Sequence, residues 1–348
     1  MNKTQDELCA EAYRIQTNFF FQSTQFFMAV LNTTGTILVL YVSVNIFAKK
    51  IFHINLRILS ANLFGLLLFR SVVIVFRSTT FIYRMIAYKD QCSFLEDSVK
   101  CSILSISGAT PLKCIRYAFI AITIERFIAM CFYQRYEKWK YPIALAFIPL
   151  TWFEIAPSIK DIALLLGQSE KISKSYCSSI TTNTVSYLKL ALEIPLLIGI
   201  FFLLVIAHII SKRKMIFQIR GSMDLSSRYQ IRENMKTSKT MFIATVMYIM
   251  SYLINLSGIL LVTHLPRTNL LHFAILKEIT SFAIAIFINA ISILLIVRVE
   301  RLHDGIKWLF LFGCGPSNKV GDELRNSPFS SRKHVEIIEE MWEKGIHK

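Results

Sequence analysis

The chain runs to 348 residues, is 54% hydrophobic and only 18% charged, and has a mean hydropathy of +0.48 with 27 phenylalanines. That balance excludes both a soluble two-domain protein and a disordered one, and places the chain in a lipid bilayer. A formal net charge of +16 adds a strongly basic face, suited to anionic lipid or to an acidic partner surface.

In chain order, the opening MNKTQDELCAEAYRIQTN is polar, with no basic start, short apolar segment or small-residue cleavage site. The first membrane helix is therefore expected to act as the targeting signal. Asn2-Lys3-Thr4 makes Asn2 a glycosylation candidate. A bilayer core about 30 Å thick takes about 20 mostly apolar residues as helix. Seven runs meet that test: Phe26 to Ala48, Ile54 to Phe76, Ile103 to Phe132, Ile143 to Leu166, Val185 to Ile210, Thr240 to Val262 and Leu271 to Val297. The linkers are short except for Ser211 to Lys239, and no internal repeat stands out.

The expected architecture is an all-α membrane protein: an amino-terminal segment (1–25), a seven-transmembrane helix bundle (26–297) and a tail (298–348). In the tail, Leu302, Ile306, Leu309 and Phe310 alternate at helical spacing with Glu300, Arg301, Asp304 and Lys307, which predicts a short amphipathic helix after the last span. Cys314, just beyond, is a candidate for palmitoylation.

Orientation follows from basic residues, which are retained on the cytoplasmic side. The amino-terminal segment and the second, fourth and sixth loops carry ten Lys and Arg, with Arg77 and Arg84 counted as loop residues; the other loops and the tail carry 24. The amino terminus is accordingly expected outside and the tail in the cytoplasm. Cys9, Cys92, Cys101 and Cys177 then lie outside, where disulfides form and three pairings are open. Cys101 with Cys177 is the preferred bridge, tethering the fourth loop over the bundle, with Cys92 competing for either partner. Cys114 and Cys131 read as small buried hydrophobes within the third helix.

Enzyme signatures are missing: there is no HExxH, GxSxG or P-loop, and neither the cysteine spacings nor the scattered histidines suggest a metal site. No cofactor, metal or nucleic acid is expected. Charge inside the apolar runs is the stronger signal, because it faces lipid only at high cost. Lys113 and Arg116 in helix 3, Glu154 in helix 4, Lys189 and Glu193 in helix 5, and Lys277 and Glu278 in helix 7 are expected to point into the bundle or snorkel to an interface. Lys189 and Glu193 are four apart and share a helix face. Lys113 and Arg116 are placed to meet Glu193 or Glu278. Either these groups lock helices together, or Lys113, Arg116, Lys189, Glu193, Lys277 and Glu278 line a ligand site.

The third run carries the adjacent pair Glu125-Arg126 near its cytoplasmic end, with Tyr136-Glu137 in the following loop. An arginine held there by its neighbouring acid, or by a polar group on helix 6, is released when the inner helix ends separate, which makes a two-state switch. The plainer reading is an arginine snorkelling to phosphates.

Seven helices, an outside amino terminus and Glu125-Arg126-Phe127 resemble a G-protein-coupled receptor. Three stretches narrow the likeness: FHINLRIL (Phe52 to Leu59), ERFIAMCFYQRYE (Glu125 to Glu137) and LSSRYQIRENMKT (Leu225 to Thr237) resemble the nematode serpentine chemoreceptors of class epsilon. The resemblance implies a sensory receptor on the plasma membrane of a sensory neuron, with a small-molecule agonist and a heterotrimeric G protein as partners. A homo- or hetero-oligomer stays compatible. Glu125, Arg126, Tyr136, Glu137, Arg228 and Tyr229 are then the coupling residues. Two departures stand out: helix 7 reads Asn289-Ala290-Ile291-Ser292-Ile293 where rhodopsin-like receptors carry Asn-Pro-x-x-Tyr, and helix 6 has no proline. A seven-helix ligand-gated channel or carrier is the rival class, against which the odd helix count and the missing repeat both speak.

Overall fold

The computed structural model describes residues 4–48, 53–88, 90–132, 136, 142–166, 173–177, 187–219, 225–264 and 270–299; of these, side chains at 130, 165, 187–193, 211, 214–219, 225–234 and 262–264 are outside the description. Asn2, Glu137, Cys314 and the expected amphipathic helix beyond Val299 lie outside the described residues. Lys189, Glu193, Arg228 and Tyr229 are described as helical backbone only. The chain divides into one unit of residues 1–302 and a second of 303–348.

Described elements are almost all helical: α1 (Gln5–Gln16), α2 (Phe19–Ala48), α3 (Ile54–Ala87), a 3-10 turn (Gln91–Phe94), β1 (Glu96–Asp97), α4 (Ser98–Cys131), α5 (Ala144–Thr151), α6 (Ile155–Leu166), β2 (Ser173–Lys174), α7 (Tyr187–Ile219), α8 (Leu225–His264) and α9 (Leu270–Arg298). In the bundle, α2 packs between α3 and α9, α4 against α3, α5, α6 and α7, and α8 against α7 and α9. Four stretches are long and apolar enough to cross a membrane: α2, α3, Met235–Leu261 of α8, and α9. Ile194–Ile210 of α7 is apolar but shorter. Large apolar side chains such as Phe26, Phe27, Ile37, Phe69, Phe76, Ile254 and Ile286 stay exposed on these helices, as a lipid-facing surface requires.

Among the described residues, asparagines supply several specific polar ties between helices. Asn289, at the position of the altered helix 7 motif, donates to the Leu31 carbonyl at 2.9 Å and accepts from Thr34 at 3.1 Å, joining α9 to α2 beside Gly35. Asn62 donates to Thr151 at 2.8 Å and accepts from the Trp152 indole at 2.8 Å. Asn255 donates to the Thr280 carbonyl at 3.0 Å. One turn on, a Cβ built on Gly258 would lie 2.7 Å from the Thr280 Cβ, so only glycine permits this approach of α8 to α9.

Several boundaries differ from the expectation, each for a local reason. The polar opening segment contains α1, whose capping box is Thr4 Oγ1 accepting from the Glu7 amide and Glu7 accepting from the Thr4 amide at 3.0 Å. Helix α3 continues to Ala87 instead of ending at Phe76, because Arg77 and Arg84 are buried in ion pairs and are not loop residues. The fourth run breaks at Trp152–Glu154 into α5 and α6, and Pro157 sits in the first turn of α6, where its missing N–H costs no helical bond. Most of the supposed linker Ser211 to Lys239 is helix, extending α7 to Ile219 and starting α8 at Leu225, since its Lys, Arg, Glu, Gln and Met are strong helix formers.

Candidate functional site

Charged groups gather at both ends of the bundle. One end carries α1 and two disulfides, Cys9–Cys92 and Cys101–Cys177. The first holds α1 to the 3-10 turn, where Tyr13 meets Phe94 edge to face. The second holds the 173–177 segment over α4, so that β2 pairs antiparallel with β1 and Tyr176 turns into the bundle. There Tyr176 packs with Ile15, Phe21 and Ala274.

Beneath Tyr176 lies the wholly buried carboxylate of Glu278. One of its oxygens accepts from the Tyr176 hydroxyl at 2.7 Å and from Lys277 Nζ at 2.8 Å; the other is paired with the Arg77 guanidinium. Burial, and after it the facing Glu278 charge, pushes the Tyr176 hydroxyl well above its usual range, so it serves as a donor. Arg70, two turns before Arg77, lies within electrostatic range of Arg77, Lys277 and Glu278. It donates to the Gly108 carbonyl at 2.5 Å, near Pro111 in α4. Two turns beyond Arg77, Arg84 pairs with Glu96 at 2.5 Å.

The opposite end holds Glu125 and Arg126. Arg126 donates Nε to one Glu125 oxygen at 2.5 Å and a terminal nitrogen to the other at 2.6 Å. Tyr136 donates its hydroxyl to the same carboxylate and accepts from Asn55 Nδ2 at 2.9 Å. Burial and the Glu125 carboxylate raise the Tyr136 pKa. The Tyr136 ring lies 4.9 Å from that of His53, whose pKa burial lowers. Beside Arg126, a small pocket opens between α4, α7 and α8, lined by Thr123, Leu204, His208, Ser238, Met241 and Thr245 among others. Between the two ends, Phe119, Tyr248 and Phe287 stack in the core, with ring centres 4.6 Å and 5.6 Å apart along the series.

The expected ligand set is divided by this geometry. Lys277 and Glu278 are central to the disulfide-end cluster. Lys113 and Arg116 lie beside Glu154 on the neighbouring helical segment, at 3.9 Å and 3.7 Å, with the Tyr117 hydroxyl 3.4 Å from the same carboxylate; the Glu193 side chain, their other expected partner, is outside the description. Arg70, Arg77, Arg84 and Tyr176 were not among the expected site residues. A readable signal for the arginines exists: a spacing of seven puts Arg70, Arg77 and Arg84 on one face of a helix, about 10 Å apart in steps. Of the coupling set, Glu125, Arg126 and Tyr136 come together. The choice left open for Arg126 falls on its neighbouring acid. Cys92 bridges to Cys9 and so leaves Cys101 to Cys177.

Apolar helices of membrane length and buried ionic clusters near both ends describe a multi-pass membrane protein. The family model for the serpentine type 7TM GPCR receptor class ab chemoreceptors matches residues 6–307, and the chain belongs to that family, whose members are receptors rather than enzymes. It is 23% identical to serpentine receptor class alpha/beta-14 of Caenorhabditis elegans over 99% of this chain and 94% of that one. Serpentine receptor class beta-11 of the same species is 23% identical over 73% of this chain and 72% of its own. The resemblance to class epsilon is thereby corrected to class ab.

Proposed function

We propose that the chain crosses the plasma membrane of a sensory neuron seven times, with the disulfide end outside, and couples a small chemical cue to a heterotrimeric G protein. The observation that carries this reading is the Glu125–Arg126–Tyr136 cluster beside a pocket between α4, α7 and α8. A bidentate ion pair between chain neighbours holds Arg126 in one state; separation of α7 and α8 from α4 widens the pocket beside it, where a partner group that competes for Glu125 or Arg126 breaks the pair. The basic stretch Lys212 to Lys239 steers an acidic partner surface to the same end. Disulfides and the excess of basic residues at the other loops support the orientation. A cue bound under Tyr176 acts only if it prefers the open state. Membership of a receptor family ranks this reading above the channel or carrier.

The test is Arg126→Ala in cells carrying a promiscuous G protein, challenged with pools of volatile and soluble compounds. Evoked signalling should disappear while receptor still reaches the surface. Unchanged signalling at normal surface density would remove Arg126 from the mechanism.

A further inference from the structure

We infer that the cue of this receptor carries an oxyanion, a carboxylate or phosphate group, and that Arg70, Arg77 and Lys277 around Glu278 are the groups that receive it. This rests on the receptor reading and narrows its ligand.

Charge balance comes first. Arg70, Arg77, Lys277 and Glu278 are each less than a tenth exposed, so water does little to screen them. Among the described residues, Arg70, Arg77 and Lys277 gather around Glu278, and with the adjoining Arg84–Glu96 pair the buried cations number four against two carboxylates. Of the neighbouring carboxylates, Glu96 pairs with Arg84 while still acting electrostatically on Arg77, Asp97 accepts from the amides that open α4, and Glu11 accepts from Ser175. Arg70 is met by a main-chain carbonyl, which satisfies a hydrogen but not a charge. Buried positive charge in excess is costly, and an anion at this point relieves it.

Hydrogen-bond accounting agrees. Arg77 Nε is buried without an acceptor, and so is Gln25 Nε2, whose side chain accepts from Ser78 next to Arg77. Both donors sit where an oxyanion would take them up. Guanidinium groups suit this ligand because their planar fork matches the two oxygens of a carboxylate or phosphate. Tyr176, on the tethered segment above, spends its one hydroxyl hydrogen on Glu278 and covers the site.

The full chain in neutral phosphatidylcholine nanodiscs, without G protein, provides the test. Its melting temperature is followed against sodium acetate and sodium phosphate, each referred to sodium chloride at equal ionic strength. A saturable rise with either oxyanion is expected. Arg70→Gln should weaken its apparent affinity about tenfold or more, the worth of a charged hydrogen bond, and Arg70→Lys should restore most of it. Lys277→Gln serves as the second variant should Arg70→Gln fail to fold. No rise beyond chloride overturns the inference, as does a rise that both variants leave intact. A rise produced by phosphatidylserine in the disc but by neither soluble ion assigns the cluster to a lipid headgroup and also overturns it. Signalling by a neutral cue in the absence of oxyanion binding would sink this inference and leave the receptor reading standing; oxyanion binding without G-protein activation would do the reverse.

Discussion

The two charged ends of the bundle are built on opposite plans. At the Arg126 end, the pair is local in sequence, Glu125 with Arg126, and it is balanced, one acid with one base, closed by Tyr136 only eleven residues on. At the disulfide end, Arg77 and Glu278 are 201 residues apart, the bases outnumber the acid, and a loop residue completes the arrangement. A balanced local pair opens without leaving its own helix. An unbalanced pair between distant helices holds the bundle together and invites a partner of opposite charge.

Breaking the acid of each cluster should expose that asymmetry most strongly. Glu278→Ala leaves three buried cations without their carboxylate and should cost about 3–5 kcal/mol. It should be read as loss of folded receptor in fluorescence-detected size exclusion, and near-normal melting would show that Glu278 does not hold α9 to α3. At the other end, Tyr136→Phe deletes one hydrogen bond to the Glu125 carboxylate, worth about 1.5–3 kcal/mol. The receptor should still fold, and basal G-protein activation should rise several-fold; basal activity equal to wild type would mean that Tyr136 does not restrain the closed state.

The smallest effect belongs to His53. Its folded pKa is lowered from 6.5, chiefly by burial, with Arg126 and Arg57 adding to the effect and Glu125 opposing it. A lowered base is neutral in the fold and takes its proton more readily when unfolded, so stability is complete above about pH 6.5 and falls as pH drops toward the folded pKa. Melting of wild type between pH 7 and 5.5 should decline more than that of His53→Gln. Equal declines would place the titration elsewhere.

Of the seven expected spans, four stand as helices of membrane length among the described residues; these were legible because apolar runs of that length are a property of composition, and the Glu125–Arg126 cluster was legible because its parts are neighbours in the chain. Helix α1 was equally readable, from Thr4 and Glu7 at capping-box spacing, and so was the heptad of Arg70, Arg77 and Arg84. Both were hidden by treating polar residues beyond an apolar run as loop. The Lys113–Glu154 contact was not readable, since the face each helix turns to its neighbours is set by packing.

Sequence alone determined the class: a chain this apolar buries its backbone polar groups in helices. Only the tertiary structure decided which charges meet. Pairing depends on helix rotation and on where α3 ends, and both are settled by the buried contacts of Arg77 with Glu278 and Arg84 with Glu96, which act across distances in sequence that no local pattern spans.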